Sequence, residues 1–452
     1  MENNNKTNFS PNDRVVVGID IGTTKIAVFI AKKNEEGKIE IIGRGKTTSV
    51  GVERGDVKNV SSTAMSVKKA VEQAEAQSGF HVEEVFVGIA GYNIATQHHR
   101  TTKIIHEDNH IINDKDVQSM LDELYSINMP HGEQIVDIVP QSYIVDGETD
   151  IADPVGRIGK TIECNFSLIS ANVDNIRNIH RSVEMAGYKV KNLILQPIAS
   201  AEAVINSTEK TAGVCLVDIG GGTTDIAIYH EGILRHTSVL QLAGNVITND
   251  IKEGCSIITT QAEVLKQKFG NCIPNSEEEN SIISIPASIR GQESKEIKVS
   301  TLSEIIKARV NMILQLVMCD IKTSGYENKL IAGIVLTGGG AKIKNIATLT
   351  EYVTGISTRI GESDSNIAKL SSENEDIKHP MYATGIGLVI KGFEYYEEYE
   401  TATDNDAQDI SPNDTPNEVE EEKKEKKESK EKVGLLAKIR KVLDNILSNG
   451  VQ

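Results

Sequence analysis

Residues Val214–Tyr229 read VCLVDIGGGTTDIAIY, two apolar runs rich in β-branched residues around three consecutive glycines. Val, Ile and Tyr favour the pleated, half-buried surface of a strand, so the pattern predicts a β-hairpin with a glycine-rich turn. Without Cβ atoms, Gly220, Gly221 and Gly222 let backbone N–H groups come close to an anion. Thr223 and Thr224 add hydroxyl donors, and Asp218 stands where a carboxylate can hold a hydrated Mg²⁺ beside phosphates. The stretch is read as a phosphate-binding hairpin.

The pattern occurs twice. Val15–Ile30 is VVVGIDIGTTKIAVFI, in which Asp20-Ile21-Gly22 and Thr23-Thr24-Lys25-Ile26-Ala27 match Asp218-Ile219-Gly220 and, after a two-glycine insertion, Thr223-Thr224-Asp225-Ile226-Ala227. Two such hairpins predict two related domains, each offering a glycine-threonine turn to one ligand between them. Lys25 either reaches a phosphate or is a solvated strand lysine. The arrangement differs from a P-loop, where one GxxxxGK[ST] segment does the work. Gly159-Lys160-Thr161 mimics the end of such a loop, but the required earlier glycine is Pro154, which has no N–H. No phosphate role is expected there.

Two further glycine sites support the same ligand. Ile331–Lys342, IAGIVLTGGGAK, predicts a strand, then Gly338-Gly339-Gly340, then a helix, which brings backbone against a nucleotide's base or α-phosphate. Gly244 and Asn245 open another helix whose N-terminus would lie near phosphate.

A chain of 452 residues is long enough for two or more domains with sizeable cores. The net charge of −17 argues against nucleic acid as a partner, since phosphate backbones need a basic footprint. Cys164, Cys215, Cys255, Cys272 and Cys319 are scattered with no CxxC pair, which suits reduced thiols in a cytosol and gives no zinc site. No apolar run approaches membrane-spanning length, and the polar start MENNNKTNFSPNDR lacks a signal-peptide core. A cytoplasmic protein is expected.

Residues 1–13 are polar and expected to be disordered. Helical spacing covers Val60–Gln77, and Val85–Ala90 predicts a short buried strand. Between His98 and Ser170, polar strands at Gln134–Val139 and Thr161–Ile169 and a helix opened by Asn113-Asp114 and running over Val117–Tyr125 indicate a small α+β insertion. Helices are expected at Asn175–Gly187, Pro197–Ile205 and Leu302–Ile321, with a strand at Val190–Leu195 and a second small subdomain over 251–300.

The end of the chain is unusual. From Glu394 to Asn417 there are eight acidic residues and no Lys or Arg, and Glu418–Lys432 alternates glutamate with lysine, so a solvated linker is expected. Then Leu435, Leu436, Ile439, Val442, Leu443, Ile446 and Leu447 fall on one face at helical spacing, with Lys438, Arg440 and Lys441 on the rest. The membrane interface is the natural acceptor of such a tethered stripe, with the basic residues facing anionic headgroups. Docking back onto the parent domain, or pairing with a partner helix, are the other readings.

Together these features resemble the actin/Hsp70/sugar-kinase ATPase superfamily, and within it the FtsA family of actin-like bacterial cell-division proteins. The resemblance rests on VFVGIAG (Val85–Gly91), VPQSYIVDG with DPVG (Val139–Gly147, Asp153–Gly156), VCLVDIGGGTTDIAIY, LQLAGNVITNDI (Leu240–Ile251), IVLTGGGAKI (Ile334–Ile343) and the terminal helix. It implies an α/β, actin-like (ribonuclease H-like) two-domain fold with a 1C (SHS2) insertion and a C-terminal amphipathic helix. Subdomain 1A would comprise 14–83 and 171–208, 1C 84–170, 2A 209–246 and 301–393, and 2B 247–300, followed by the linker 394–432 and the membrane-targeting helix 433–452.

The resemblance further implies ATP with Mg²⁺ in the interdomain cleft and self-polymerisation on the inner face of the cytoplasmic membrane. It also implies capture of the C-terminal peptide of FtsZ, the tubulin-like ring protein, by subdomain 2B, and recruitment of later division proteins. Asp20 and Asp218 would organise Mg²⁺ through water, and Gln196 would orient the attacking water or cap its helix. A neutral amide positions water but is a poor base, so at most slow hydrolysis is expected. Glu263 and Lys266 would touch the ribose or adenine. A soluble sugar or acetate kinase, or a pilus-assembly actin homologue, are the alternatives on the same fold.

Overall fold

A computed structural model describes residues 14–91, 94–107, 110–274, 278, 280–287, 294–363 and 377–408. The expected disordered start, the later linker and the terminal amphipathic stripe lie outside these residues. The chain divides into two compact units, one of Met1–Gln97, Gly132–Gln134 and Ile169–Ile390, the other of His98–His131, Ile135–Leu168 and Lys391–Gln452.

The first unit begins with the predicted hairpin of β1 (Val15–Ile21) and β2 (Lys25–Lys33), registered Asp20 opposite Ala27 and Ile21 opposite Ile26. β3 (Ile39–Thr48) pairs with β2, and β4 (Val52–Glu53) and β5 (Asp56–Val57) form a short ribbon. Helix α1 (Val60–Ser78) is capped by Asn59, whose side chain accepts from the Ser62 N–H, and ends on Gly79 in the left-handed conformation. It lies so close to β3 that Gly43 and Gly45 must present no side chain to it. β6 (Glu84–Ile89) runs parallel to β1, on the side away from β2. The sequence placed this strand at the start of the insertion. Its fully apolar run instead needs burial on both faces, and it lies inside the five-stranded sheet.

The insertion follows. Its sheet has the order β7-β10-β8-β9, from β7 (Ala95–Ile104), β8 (Glu133–Val145), β9 (Glu148–Ile151) and β10 (Thr161–Asn172). Helix α2 (Asp114–Tyr125) opens with a capping box in which Asn113 and Asp116 each bond the other's backbone N–H. Ile112, Met120, Leu124, Ile162 and Phe166 form its core, and Tyr143 stands edge-on to Phe166.

Back in the first unit, α3 (Val173–Ala186) ends on Gly187 and β11 (Lys189–Leu195) pairs with β6, giving the order β11-β6-β1-β2-β3. Helices α4 (Gln196–Val204) and α5 (Ser207–Ala212) lead to the second hairpin, β12 (Val214–Ile219) and β13 (Thr224–His230). β14 (Ile233–Leu240), α6 (Gly244–Cys255), α7 (Thr259–Phe269), the ribbon β15 (Ile282–Ile285) with β16 (Lys295–Lys298), and α8 (Val299–Ser324) come next. β17 (Ile334–Thr337), α9 (Ile346–Thr354), β18 (Thr358–Ile360) and α10 (Ala383–Gln408) complete the described chain.

The second sheet, ordered β14-β13-β12-β17-β18, repeats the first from the opposite end: three antiparallel strands, then two parallel ones. The duplication legible in the two hairpins is a duplication of whole sheets. Behind the second sheet, Leu302, Ile306, Val310, Leu314 and Val317 of α8 pack with Ile247 and Ile251 of α6. One boundary differs at the end. α10 continues to Gln408, so residues 394–408 are helical where the acidic composition predicted a linker.

Candidate functional site

Asp20 and Asp218 are the penultimate residues of β1 and β12, and both carboxylates are buried. Each turn is closed by its first glycine: Gly22 N–H donates to the Lys25 carbonyl at 3.0 Å and Gly220 N–H to the Thr223 carbonyl at 2.9 Å. The turns meet face to face. A Cβ on Gly222 would stand 2.5 Å from Thr23 Oγ1, and one on Gly221 would overlap the Thr24 side chain. Only glycine permits that approach, which leaves the N–H groups of Thr23, Gly221 and Gly222 without a backbone acceptor among the described residues. A cleft of about 570 Å³ lies over the turns, well within the range of small-ligand sites.

The floor of the cleft is acidic. Asp20 accepts from Lys25 Nζ at 2.9 Å and from Gln196 Nε2 at 3.3 Å. Lys25 lines the cleft paired with Asp20, so it is not the solvated strand lysine. Gln196, the first residue of α4, does not cap the helix with its side chain, and Gly88 opposite it leaves space for the amide. Asp218 accepts from Ser200 Oγ at 2.7 Å and Thr384 Oγ1 at 3.3 Å. Burial, then the charge of Asp20, outweigh those hydroxyls and raise its pKa.

Asp225 is the residue the sequence did not single out. It stands directly across the hairpin from Asp218, is buried, and its Oδ1 has no hydrogen-bond partner. Burial, reinforced by the charges of Asp218 and Asp20, pushes its carboxyl well above the usual range. A raised folded-state pKa stabilises fully below the unfolded value near ~3.9 and is lost as pH rises through the folded value. Asp225→Asn should therefore stabilise the ligand-free chain by about 1–3 kcal/mol at neutral pH, the scale of one unsatisfied buried polar group, with little gain near pH ~4. Thermal midpoints of both chains across that pH range would test it, and parallel curves would overturn it.

The other predicted residues divide cleanly. Gly244, Asn245, Glu263, Lys266, Gly338, Gly339 and Gly340 all line the cleft. The N–H groups of Gly244 and Asn245, expected to face phosphate, instead donate to the Gly220 and Gly221 carbonyls and brace the turn. Thr224 is fully buried inside β13, and its hydroxyl donates to the Leu242 carbonyl at 2.7 Å, so it adds no donor to the cleft. Lys266 Nζ bonds the Gly244 carbonyl, Thr248 Oγ1 and Glu263 Oε2 at 3.0, 2.7 and 2.8 Å. Burial alone would raise the Glu263 pKa, but the bonds from Lys266 and Thr248 hold it below its ordinary value. After β17 the glycines enter a single 3₁₀ turn, Gly340–Lys342, and the helix proper starts only at Ile346. Gly338, at φ +83°, has no room for a Cβ because Asp218 Oδ1 and the Ile219 carbonyl occupy that space.

In the insertion, the Lys160 and Thr161 N–H groups donate to the Asp146 carboxylate at 2.8–3.1 Å, an internal anion that accounts for the GKT decoy. The candidate membrane residues from Leu435 to Leu447 lie outside the described residues. Among the described residues no helix is long and apolar enough to cross a membrane.

Residues 215–387 match the family described as Cell division protein FtsA, and residues 91–170 match the SHS2 domain inserted in FTSA. Cell division protein FtsA of Pseudomonas aeruginosa is 32% identical over 381 residues, covering 84% of this chain and 90% of its own. That of Bacillus subtilis is 32% identical over 378 residues, covering 84% and 83%. Among solved structures, a chain of the PilM-PilN type IV pilus biogenesis complex superposes with a TM-score of 0.62 at 15% identity, over 83% of this chain and 98% of its own. That likeness shows the actin-like fold. The identity to the curated relatives extends across most of both chains: this chain belongs to the FtsA family of actin-like cell-division proteins, SHS2 insertion included.

Proposed function

We propose that the chain binds ATP with Mg²⁺ between its two glycine turns, polymerises on the inner face of the cell membrane at the division site, and tethers the FtsZ ring there. The observation that carries the nucleotide reading is the pair of facing turns, with unsatisfied N–H groups above two buried carboxylates. Asp225 Oδ1, buried beside Asp20 and Asp218 with no hydrogen-bond partner, is the kind of orphaned polar atom that a nearby bound cation relieves. Among the described residues no three His, Cys, Asp or Glu side chains converge to hold a metal unaided. Asp20 and Asp218 would thus hold Mg²⁺ through water, with nucleotide phosphates completing the shell.

Bound nucleotide supplies the phosphoanhydride and Mg²⁺ its charge neutralisation; the protein supplies position. The Gly221, Gly222 and Thr23 N–H groups would donate to phosphate oxygens, and Lys25, held by Asp20, would add a positive charge beside them. Gln196 has its amide on Asp20 and can orient a water but not deprotonate it, which fits slow turnover. Glu263 and Lys266 would meet the ribose or adenine from residues 247–300, the region proposed to take the FtsZ C-terminal peptide. Family membership favours this over a soluble kinase or a pilus-assembly homologue.

The tether rests on the apolar stripe Leu435–Leu447 with Lys438, Arg440 and Lys441. Co-sedimentation with anionic liposomes, in ATP and Mg²⁺, should retain the full chain and lose a version ending at Lys432. Equal binding by both would remove the tether from this account and leave the nucleotide reading standing.

A further inference from the structure

Beside the acidic floor lies a cluster of the opposite sign. On β3, Arg44 and Lys46 alternate with Gly43 and Gly45, so their side chains leave the face opposite α1. The β2–β3 register sets Lys46 across from Ala27 and Arg44 across from Phe29, on the face that Lys25 shares. Tyr382 covers this face, its ring edge-on to Phe29 with centroids 5.6 Å apart. Around that ring, Lys25 Nζ, Arg44 Cζ and Lys46 Nζ lie 5.8, 5.9 and 5.7 Å from the centroid.

Three cations on one ring attract its quadrupole but repel one another. Lys25 is answered by Asp20. Arg44 and Lys46 have no carboxylate partner among the described residues, and Arg44 Nη1 is buried with no hydrogen-bond acceptor. Burying an unsatisfied guanidinium N–H is costly unless something accepts from it. Lys46 stands with Lys25 and Met381 along one side of the cleft, and Arg44 lies behind it, outside the lining.

We propose that Arg44 and Lys46, steadied by Tyr382, form a holding site for inorganic phosphate at the side of the cleft, taken up by the phosphate that hydrolysis releases. The proposal rests on the nucleotide reading of the cleft. Hydrolysis joins a water oxygen to the terminal phosphorus, breaks its bond to the bridging oxygen, and yields ADP, HPO₄²⁻ and a proton. Once separated from ADP, the dianion is repelled by the acidic floor at Asp20 and Asp218 and attracted to Arg44 and Lys46. Arg44 offers a planar fork to two phosphate oxygens and Lys46 a point charge to a third.

The test is a calorimetric titration of the full chain, loaded with ADP and Mg²⁺, with inorganic phosphate at fixed ionic strength, chloride serving as the control anion. Wild type should bind one phosphate saturably. Lys46→Gln, an exposed change that leaves the core untouched, should weaken phosphate by about tenfold, the worth of one charge-assisted contact, and Arg44→Gln with Lys46→Gln by more. ADP affinity should stay within about twofold in both. Phosphate binding that is absent in wild type, or unchanged in the variants, overturns the proposal while ADP binding stands. Failure of ADP to bind would instead overturn the nucleotide reading, and titration of the ligand-free chain would still read the basic site.

Discussion

Asp218→Ala should abolish cation-dependent nucleotide binding, weakening it by at least about a hundredfold, roughly 2.7 kcal/mol or more. Beside Asp20, which would share the cation, no further carboxylate among the described residues is placed to replace Asp218. Asp20 is engaged by Lys25 and Gln196, and Asp225, burdened by the charges of its two neighbours, resists ionisation. The variant should nevertheless fold. Asp218 is a buried carboxylate whose ionised form is disfavoured by burial and by Asp20, so its removal relieves repulsion in the absence of added nucleotide. The expected signature is thus split: calorimetry with ATP and Mg²⁺ shows no saturable heat, while the thermal midpoint without nucleotide is equal to or above that of wild type. Wild-type affinity in the variant would mean that the ligand sits elsewhere than between the turns.

Gly45→Ala should cost about 3 kcal/mol or more of stability. The added Cβ would fall inside the carbonyl oxygen of Ala70 and 3.1 Å from the Ala74 nitrogen, both backbone atoms of α1 that no rotamer change can move. Helix α1 would have to lift off β3, opening a seam lined by Val67, Ala70, Val71 and Ala74. Gly37→Ala is the control: that glycine sits in an exposed turn with nothing within 4 Å of the added atom, although its φ of +75° carries a small strain. Chemical denaturation of both variants would rank them. A Gly45→Ala chain as stable as the control would show that the helix–sheet spacing is softer than it stands here.

Much of this architecture is legible in the sequence because its signals are local. The two DIG hairpins, the Asn113 and Gly187 helix boundaries, and the Pro-opened α4 each follow from residues within a few positions of the element. What failed depends on partners far along the chain. Thr224 resembles Thr223 in sequence, but strand alternation turns its hydroxyl to Leu242 instead of the cleft. Gly244 has the look of an anion-binding helix start until Gly220 claims its N–H. Asp225 reads as an ordinary strand residue, since its burial beside Asp20 and Asp218 exists only after both sheets have formed. Ser200 and Thr384, which hold Asp218, come from α4 and α10 and carry no local mark at all. At the end of α10, acidic composition argues for a linker, yet it does not prevent a helix already nucleated from propagating.

The doubling of the sheet makes the cleft a gauge. One turn hangs from β1–β2 and the other from β12–β13, so neither half owns a complete site. A ligand that touches both turns adds its binding free energy to the arrangement in which they face each other, by about 2.7 kcal/mol at a hundredfold excess over its dissociation constant. A ligand confined to one turn adds nothing to that arrangement, however tightly held. On the function proposed above, the chemical state of the ligand would set how the two turn-bearing halves face each other, which a neighbouring subunit of the proposed polymer would sense without touching the ligand.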